Sequence, residues 1–174
     1  MGLLRRRGGD EPGEGTRYQM RQRLLSIGDD FWIEDEEGRR AFRVDGKALR
    51  IRKTFVLEDT EGHEVAKIQE RKLSVRDKME IERGGRSVAT VKKALVGIRD
   101  RFSIDVEGGG ELKATGNIVD HEYEIDRDGQ TIARVSKRWF AVRDTYGLEI
   151  APGEDDALIL AVAVCIDSMS HKGN

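Results

Sequence analysis

The sequence predicts a mainly β protein, a closed antiparallel β-barrel of about twelve strands around a hydrophobic C-terminal central helix. Alternating apolar and polar residues recur from Tyr18 onward, in short segments separated by turns rich in Gly and Asp. An internal repeat of roughly 20–25 residues relates these segments to one another. The last segment, Glu154–Met169, is apolar on every side between Ala157 and Ile166, and a helix of that kind must be buried all round.

The turn signals divide the chain into successive strands. The predicted strands are 18–26, 30–35, 39–45, 47–58, 63–70, 71–82, 86–93, 95–106, 110–117, 118–126, 130–138 and 139–150. In the repeat, a short strand that begins with an alanine alternates with a long strand. The alanines are Ala41, Ala66, Ala89, Ala114 and Ala133, and the long strands include LRIRKTFVL (49–57), LSVRDKMEI (73–81), VGIRDRFSI (96–104) and FAVRDTYGLEI (140–150).

A meander of hairpins makes neighbouring strands antiparallel, and closure into a barrel removes exposed edges. A barrel of about eight strands is filled by side chains, whereas about twelve leave a lumen wide enough for a helix. Acids near Gly153–Asp156 mark the start of that helix, since they face the positive end of its dipole, and Ser168–Lys172 form its polar exit. The alternative of a membrane span needs about 20 apolar residues, twice the available run, so a buried helix is favoured.

Composition bounds the class of protein. The 174 residues suffice for one domain with a sizeable core, predicted at 17–172 after a disordered tail over residues 1–16. A net charge of -2 gives no strong attraction to nucleic acid. The single cysteine, Cys165, allows no internal disulfide and is typical of a reducing compartment. The N-terminus lacks the apolar region of a signal peptide, so we expect a cytoplasmic protein without a transmembrane segment, attached to a membrane peripherally if it binds lipid.

Three features together resemble the LURP-one-related proteins of the Tubby-like superfamily. They are MRQRLLSIGDDFWIEDEEG (20–38), the repeated D-x-x-G hairpins with LSVRDKMEI, and the apolar C-terminal helix after Asp155 and Asp156. The resemblance spans about residues 18–170 and implies a twelve-stranded barrel threaded by a hydrophobic helix. Tubby domains bind phosphoinositides through basic surface residues, and scramblases act on lipid with Ca²⁺ and a lipidated tail. This sequence has neither a cysteine-rich palmitoylation stretch nor an EF-hand-like loop, so scramblase activity is not expected.

Polar residues interrupt the apolar series in the middle of the long strands. Alternation places Lys53, Asp77, Asp100, His121 and Asp144 on the inward face. One interpretation is a buried polar belt that binds a headgroup or an ion. The other, which we favour, is that each position marks a bend that turns the charge to solvent.

Basic residues on the outward face of the strands form the candidate ligand site. They are Arg50, Arg52, Lys92, Lys93, Arg99 and Arg101. Alternating arginines and lysines on strands can cradle the phosphate of a lipid headgroup. The alternative is a solvated surface balanced by Glu58, Asp105 and Glu107.

No catalytic constellation is visible, so we predict a non-enzymatic protein without a cofactor. The histidines His63, His121 and His171 lack the spacing of metal ligands. The function favoured is a module that binds anionic phospholipid headgroups at a membrane surface. The alternative is a protein-interaction or stress-response scaffold without a small ligand.

Overall fold

A computed structural model describes residues 15–21, 30–47, 52–71, 78–94, 101–140 and 144–170. Within these ranges, twelve strands form a closed barrel in which each strand pairs with the next and β1 closes antiparallel on β12. The strands are β1 Thr16–Arg21, β2 Phe31–Asp35, β3 Arg40–Gly46, β4 Thr54–Glu58, β5 Glu64–Glu70, β6 Lys78–Arg83, β7 Arg86–Lys93, β8 Arg101–Val106, β9 Gly110–Asn117, β10 Glu122–Arg127, β11 Gln130–Ser136 and β12 Thr145–Ile150. A 3₁₀ turn covers Lys137–Trp139, and helix α1 covers Asp156–Ser170. The predicted fold is confirmed.

Helix α1 fills the barrel. Its residues from Leu158 to Met169 are all buried, and it lies against β5, β6, β7 and β12. A helix with side chains is about 10 Å across, so the strands facing it must leave room. The repeated alanines provide that room: Ala66, Ala89, Ala114 and Ala133 all point inward and are buried.

Each inward alanine lies beside a large residue on a neighbouring strand. Ala66 is opposite Leu57, and Ala89 is opposite Ile81. Ala114 is opposite Phe102 on one side and Ile125 on the other. Small and large residues therefore alternate around the wall, which is how a narrow barrel fits its contents. The sequence repeat records this alternation.

The two ends of the barrel differ in their connections. At the end where α1 begins, the strands are joined by short turns such as 84–85 and 128–129; we call it the turn end. At the opposite end, where α1 finishes, the connections are longer, for example 22–30 between β1 and β2; we call it the loop end. Loops carry most binding functions, so the loop end is the first place to look for a site.

Some predicted strands are longer than the observed ones. The strand predicted at 118–126 begins at Glu122, because the chain turns before it: the His121 amide donates to the Ile118 carbonyl at 3.1 Å. The strand predicted at 139–150 begins at Thr145, after Asp144 with a φ of 58°. The strands predicted at 47–58, 71–82 and 95–106 contain 48–51, 72–77 and 95–100, which lie outside the described residues. Most of the predicted tail, 1–14, also lies outside them, and that assignment stays a prediction.

Candidate functional site: a basic patch at the loop end

The turn end carries acidic side chains. Its turns and the start of α1 contain Glu36, Glu37, Asp59, Glu61, Glu107, Asp128, Glu154 and Asp155. Three arginines at this end are ion-paired. Arg83 binds both oxygens of Asp155 at 2.5 and 2.8 Å, and Arg127 binds Glu154 at 2.7 Å. Arg39 binds Asp35 at 2.8 Å in the same way. The positive charge of these three arginines is neutralised within the fold.

The loop end carries both paired cations, such as Lys47 and Arg71, and cations without an internal partner. Six of its cationic side chains form no ion pair within the described ranges: Arg21, Arg52, Lys78, Arg101, Lys137 and Arg138. Arg101 and Arg138 are exposed to solvent, and Arg52 and Lys78 are half-buried. Cations without a carboxylate partner are available to an anionic ligand, because binding does not first have to break an internal ion pair.

Three of the loop-end cations gather on the outer face of three consecutive strands. We call Lys78 of β6, Lys92 of β7 and Arg101 of β8 the basic patch. Lys78 and Lys92 are directly opposite each other in the β6–β7 pair, where side chains lie about 5 Å apart. Like charges in that position destabilise a sheet, so an anion between them would relieve a repulsion present in the fold. Lys92 also bonds Asp105 at 2.6 Å, which offsets one charge.

The basic patch contains part of the predicted ligand site. Lys92 and Arg101 lie on the outer face of neighbouring strands, whereas Lys93 is opposite the buried Phe102 and therefore belongs to the inward series of β7. Arg52 lies just before β4, separated from β7 by β5 and β6. Arg50 and Arg99 are outside the described residues. Lys78 is not in the predicted set, because alternation within a single strand does not show which residues of neighbouring strands lie opposite each other. The signal that finds it is strand register, which places it opposite Lys92.

The polar residues predicted on the inward face of the strands lie in different environments. Asp144 is exposed and has positive φ, so the bend interpretation holds there. His121 also has positive φ, at 53°, but it is buried, and its Nε2 lies 2.7 Å from Oδ1 of Asp167 on α1. Lys53 is half-buried, with its ammonium 5.9 Å from the Phe55 ring centroid. Asp77 and Asp100 lie outside the described residues.

The His121–Asp167 pair belongs to a buried polar cluster. His121 stacks on Tyr146, with ring centroids 4.3 Å apart. The Tyr146 hydroxyl and the Ser168 Oγ are also buried, and neither has a hydrogen-bond partner within the described part of the chain. Burial raises the pKa of Tyr146 and of Tyr123, with the nearby Asp167 as the second cause. The pKa of Cys165 is also raised by burial, so its thiol stays protonated at neutral pH.

One cluster at the turn end has the composition of a metal site. The ligand atoms of Asp59, Glu61 and His63 lie within 4.8 Å of one another on the β4–β5 turn. The β2–β3 turn has the same form, with Asp35 accepting the amides of Glu37 and Arg39 as Asp59 accepts those of Glu61 and His63. Because an arginine takes the place of the histidine there, the arrangement is a feature of the turn, not evidence of a metal.

Over the residues that the structure describes, we find no helix with both the length and the apolar character that a bilayer span requires.

The comparisons with known proteins agree with the fold. No curated protein matches the chain. Among solved structures, an X-ray structure of an Arabidopsis thaliana protein superposes with a TM-score of 0.67 at 16% sequence identity, covering 90% of this chain and 92% of that one. At that identity the likeness shows the fold alone. The family model for LURP-one-related proteins matches residues 16–167, most of the chain. The chain therefore belongs to the LURP-one-related family.

Proposed function

We propose that this protein is a non-enzymatic module that docks on anionic phospholipid surfaces in the cytoplasm through the loop end of its barrel. The observation that carries the proposal is the contrast between the two ends. At the turn end Arg39, Arg83 and Arg127 are paired with carboxylates. At the loop end Lys47, Arg71 and Lys92 are also paired, but Arg52, Lys78 and Arg101 form no ion pair within the described ranges. Ion pairing within the fold does not explain why these loop-end cations are present, whereas binding of an external anion does.

The chemistry of the basic patch suits a phosphate group. Lysine acts as a mobile point charge, and arginine binds phosphate oxygens with two parallel hydrogen bonds. Lys78 and Lys92 face each other across one strand pair, and Arg101 follows on the next strand. A basic residue near an anionic bilayer contributes about 1 kcal/mol of attraction, so a few such residues give weak, reversible docking.

A non-enzymatic role agrees with the location of the titratable groups. The one described histidine–carboxylate pair inside the barrel has side chains only 4% and 3% exposed, which leaves no path for a substrate. The pKa of the Cys165 thiol is raised and the residue is fully buried within α1. These groups stabilise the core.

The test is co-sedimentation with vesicles of phosphatidylcholine alone or with phosphatidylserine added, over a series of salt concentrations. We expect binding to require the anionic lipid and to weaken as salt rises, because screening shortens the range of the attraction. Substituting both Lys78→Gln and Arg101→Gln should weaken binding about 25-fold, from about 1 kcal/mol per charge.

The matched control is Arg86→Gln. Arg86 is exposed and lies at the turn end beside the 84–85 turn, so its loss removes a charge from the end that should not dock. Equal losses for Arg86→Gln and Arg101→Gln would show nonspecific attraction and overturn the proposal. Absence of binding to every vesicle would also overturn it, and would favour the scaffold alternative.

A further inference from the structure

We infer that the turn between β9 and β10 is a membrane-inserted wedge with Val119 at its tip. This inference rests on the proposed function and adds the contact that the loop end makes with the acyl region of an anionic bilayer. Val119 is 57% exposed, and within the described ranges it is the one large hydrophobic side chain in solvent. A single exposed apolar residue is ordinary in itself. Val119 is distinguished by its position at the loop end and by the hydrogen bonds that hold its turn in place.

The turn is held rigidly. We define the Val119 turn as residues 117–121. The Asn117 Nδ2 donates to Asp120 Oδ2 at 2.7 Å, and the Asp120 amide donates back to Asn117 Oδ1 at 3.2 Å. The His121 amide donates to the Ile118 carbonyl at 3.1 Å, and Ile118 is buried. These bonds fix Val119 at the tip before any membrane is met, which lowers the ordering cost of insertion.

The central helix holds the base of the turn. His121 has its Nε2 2.7 Å from Asp167 Oδ1 of α1, and its ring stacks on Tyr146 of β12. The His121–Asp167 bond connects the turn directly to the element around which the barrel is built.

Cations flank the turn on both sides. On one side, Arg101 of β8 is opposite Thr115 of β9. On the other, the Lys137 amide donates to the Glu122 carboxylate at 3.0 Å, and Arg138 follows. An apolar tip between basic residues matches a bilayer, whose phosphates lie above its acyl chains. The acid of the turn, Asp120, directs one carboxylate oxygen to the Asn117 amide.

The experiment places an environment-sensitive nitrobenzoxadiazole label at residue 119 through Val119→Cys. The native Cys165 is fully buried, so labelling of the folded protein is confined to the new thiol. A second variant, Thr60→Cys, puts the same label on the exposed β4–β5 turn at the turn end. Vesicles of phosphatidylcholine and phosphatidylserine, with and without a shallow spin-labelled lipid, provide the probe.

We expect the label at 119 to brighten and shift to the blue with anionic vesicles and to be quenched by the spin label, while the label at 60 changes in neither way. Val119→Ser should weaken co-sedimentation about fivefold or more, because it removes apolar burial without adding a charge. Co-sedimentation with an unchanged label at 119 would overturn the wedge and leave the proposed function standing. If nothing co-sediments, both fall.

Discussion

His121 shows how one residue combines a strained backbone with a buried polar contact. A positive φ is uncommon for a residue other than glycine, and it costs free energy that the surroundings must offset. Here the surroundings are a carboxylate 2.7 Å away and the stacked ring of Tyr146. The strain is located at the base of the Val119 turn, where it reverses the chain and directs the imidazole inward.

The contact between His121 and Asp167 can be measured as stability. Asp167→Ala should lower the free energy of unfolding by about 3 kcal/mol, because it removes one member of a buried polar pair and opens space in the core. Urea denaturation at neutral pH is the measurement. Asp120→Ala, an exposed position in the same turn, should change it by no more than about 1 kcal/mol. Equal effects would mean that the buried contact contributes little.

The sequence predicts residue faces better than residue partners. Alternation correctly places His121 on the inward face, but its partner is 46 residues away on another element. We expected the polar exit of the helix to begin at Ser168, whereas Asp167 and Ser168 are both buried. Polar residues near the end of a helix usually meet water, and only the tertiary fold shows that the barrel extends around them.

At the scale of elements, the start of α1 is fixed by side chains from three strands. The Asp155 Oδ1 accepts the Leu158 amide at 3.1 Å, which caps the helix. Tyr18 of β1 donates its hydroxyl hydrogen to Asp156 Oδ2 at 2.5 Å. Arg83 of β6 and Arg127 of β10 bind Asp155 and Glu154. The helix is therefore held in one axial position within the barrel.

Asp155 should make stability depend on pH. The hydrogen bond from Arg83 holds the pKa of its carboxyl below the ordinary value, with the amide of Leu158 adding to the effect. Because the folded pKa is depressed, the contribution is complete above the unfolded pKa of about 3.9 and is lost as pH falls through the folded value.

Asp155→Ala should therefore cost about 1 kcal/mol at pH 7, the ordinary value of a helix cap, and less in strong acid. Urea denaturation at both pH values measures the difference. Glu107→Ala, in an exposed turn, is the comparison and should change stability by at most about 0.5 kcal/mol. A loss at pH 7 that persisted unchanged below the folded pKa would contradict the assignment.

The repeated alanines predict a second effect on elements. Ala89→Leu would add three methyl or methine carbons where β7 faces α1, at a position that is 2% exposed and opposite Ile81. Overpacking of this kind costs about 1–3 kcal/mol. Thr90→Leu, on the outer face of the same strand, should cost no more than about 0.5 kcal/mol. Thermal unfolding compares the two, and equal midpoints would show that the wall can expand around the helix.

Elements were predicted well in number and poorly in extent. Turn residues mark the turn end sharply, since glycines such as Gly84, with a φ of 55°, occupy positions that most residues avoid. At the loop end the apolar alternation in the sequence begins several residues before the observed starts of β10 and β12. Hydrophobic pattern alone does not show where a strand bends out of the ladder.

At the scale of the whole molecule, the barrel has two electrostatically different ends. The sequence contains 33 acidic and 31 basic residues, so composition alone does not indicate that the two ends differ in charge. The separation arises because alternate connections of a meander fall at opposite ends. Lys78 and Lys92 are 14 positions apart in the chain and become neighbours only through register.

The acidic turn end should fix the orientation of docking as strongly as the basic patch does. An anionic bilayer repels Glu61 and Glu107, so a molecule that approaches with the turn end is turned away. Replacing both by lysine, as Glu61→Lys with Glu107→Lys, converts that repulsion to attraction. Total partition onto phosphatidylserine vesicles should rise about tenfold or more, because several charge units change sign near the surface.

The informative readout in that variant is orientation, measured with the labels at residues 60 and 119. We expect the label at 60 to become sensitive to vesicles and the response at 119 to fall as a fraction of bound protein, because a second docking mode now competes. The variant with Glu61→Gln and Glu107→Gln should give label responses between those of the unsubstituted protein and the double lysine variant. If the label at 119 keeps its full response while that at 60 stays silent, the acidic end plays no part in orientation and the basic patch with its wedge suffices.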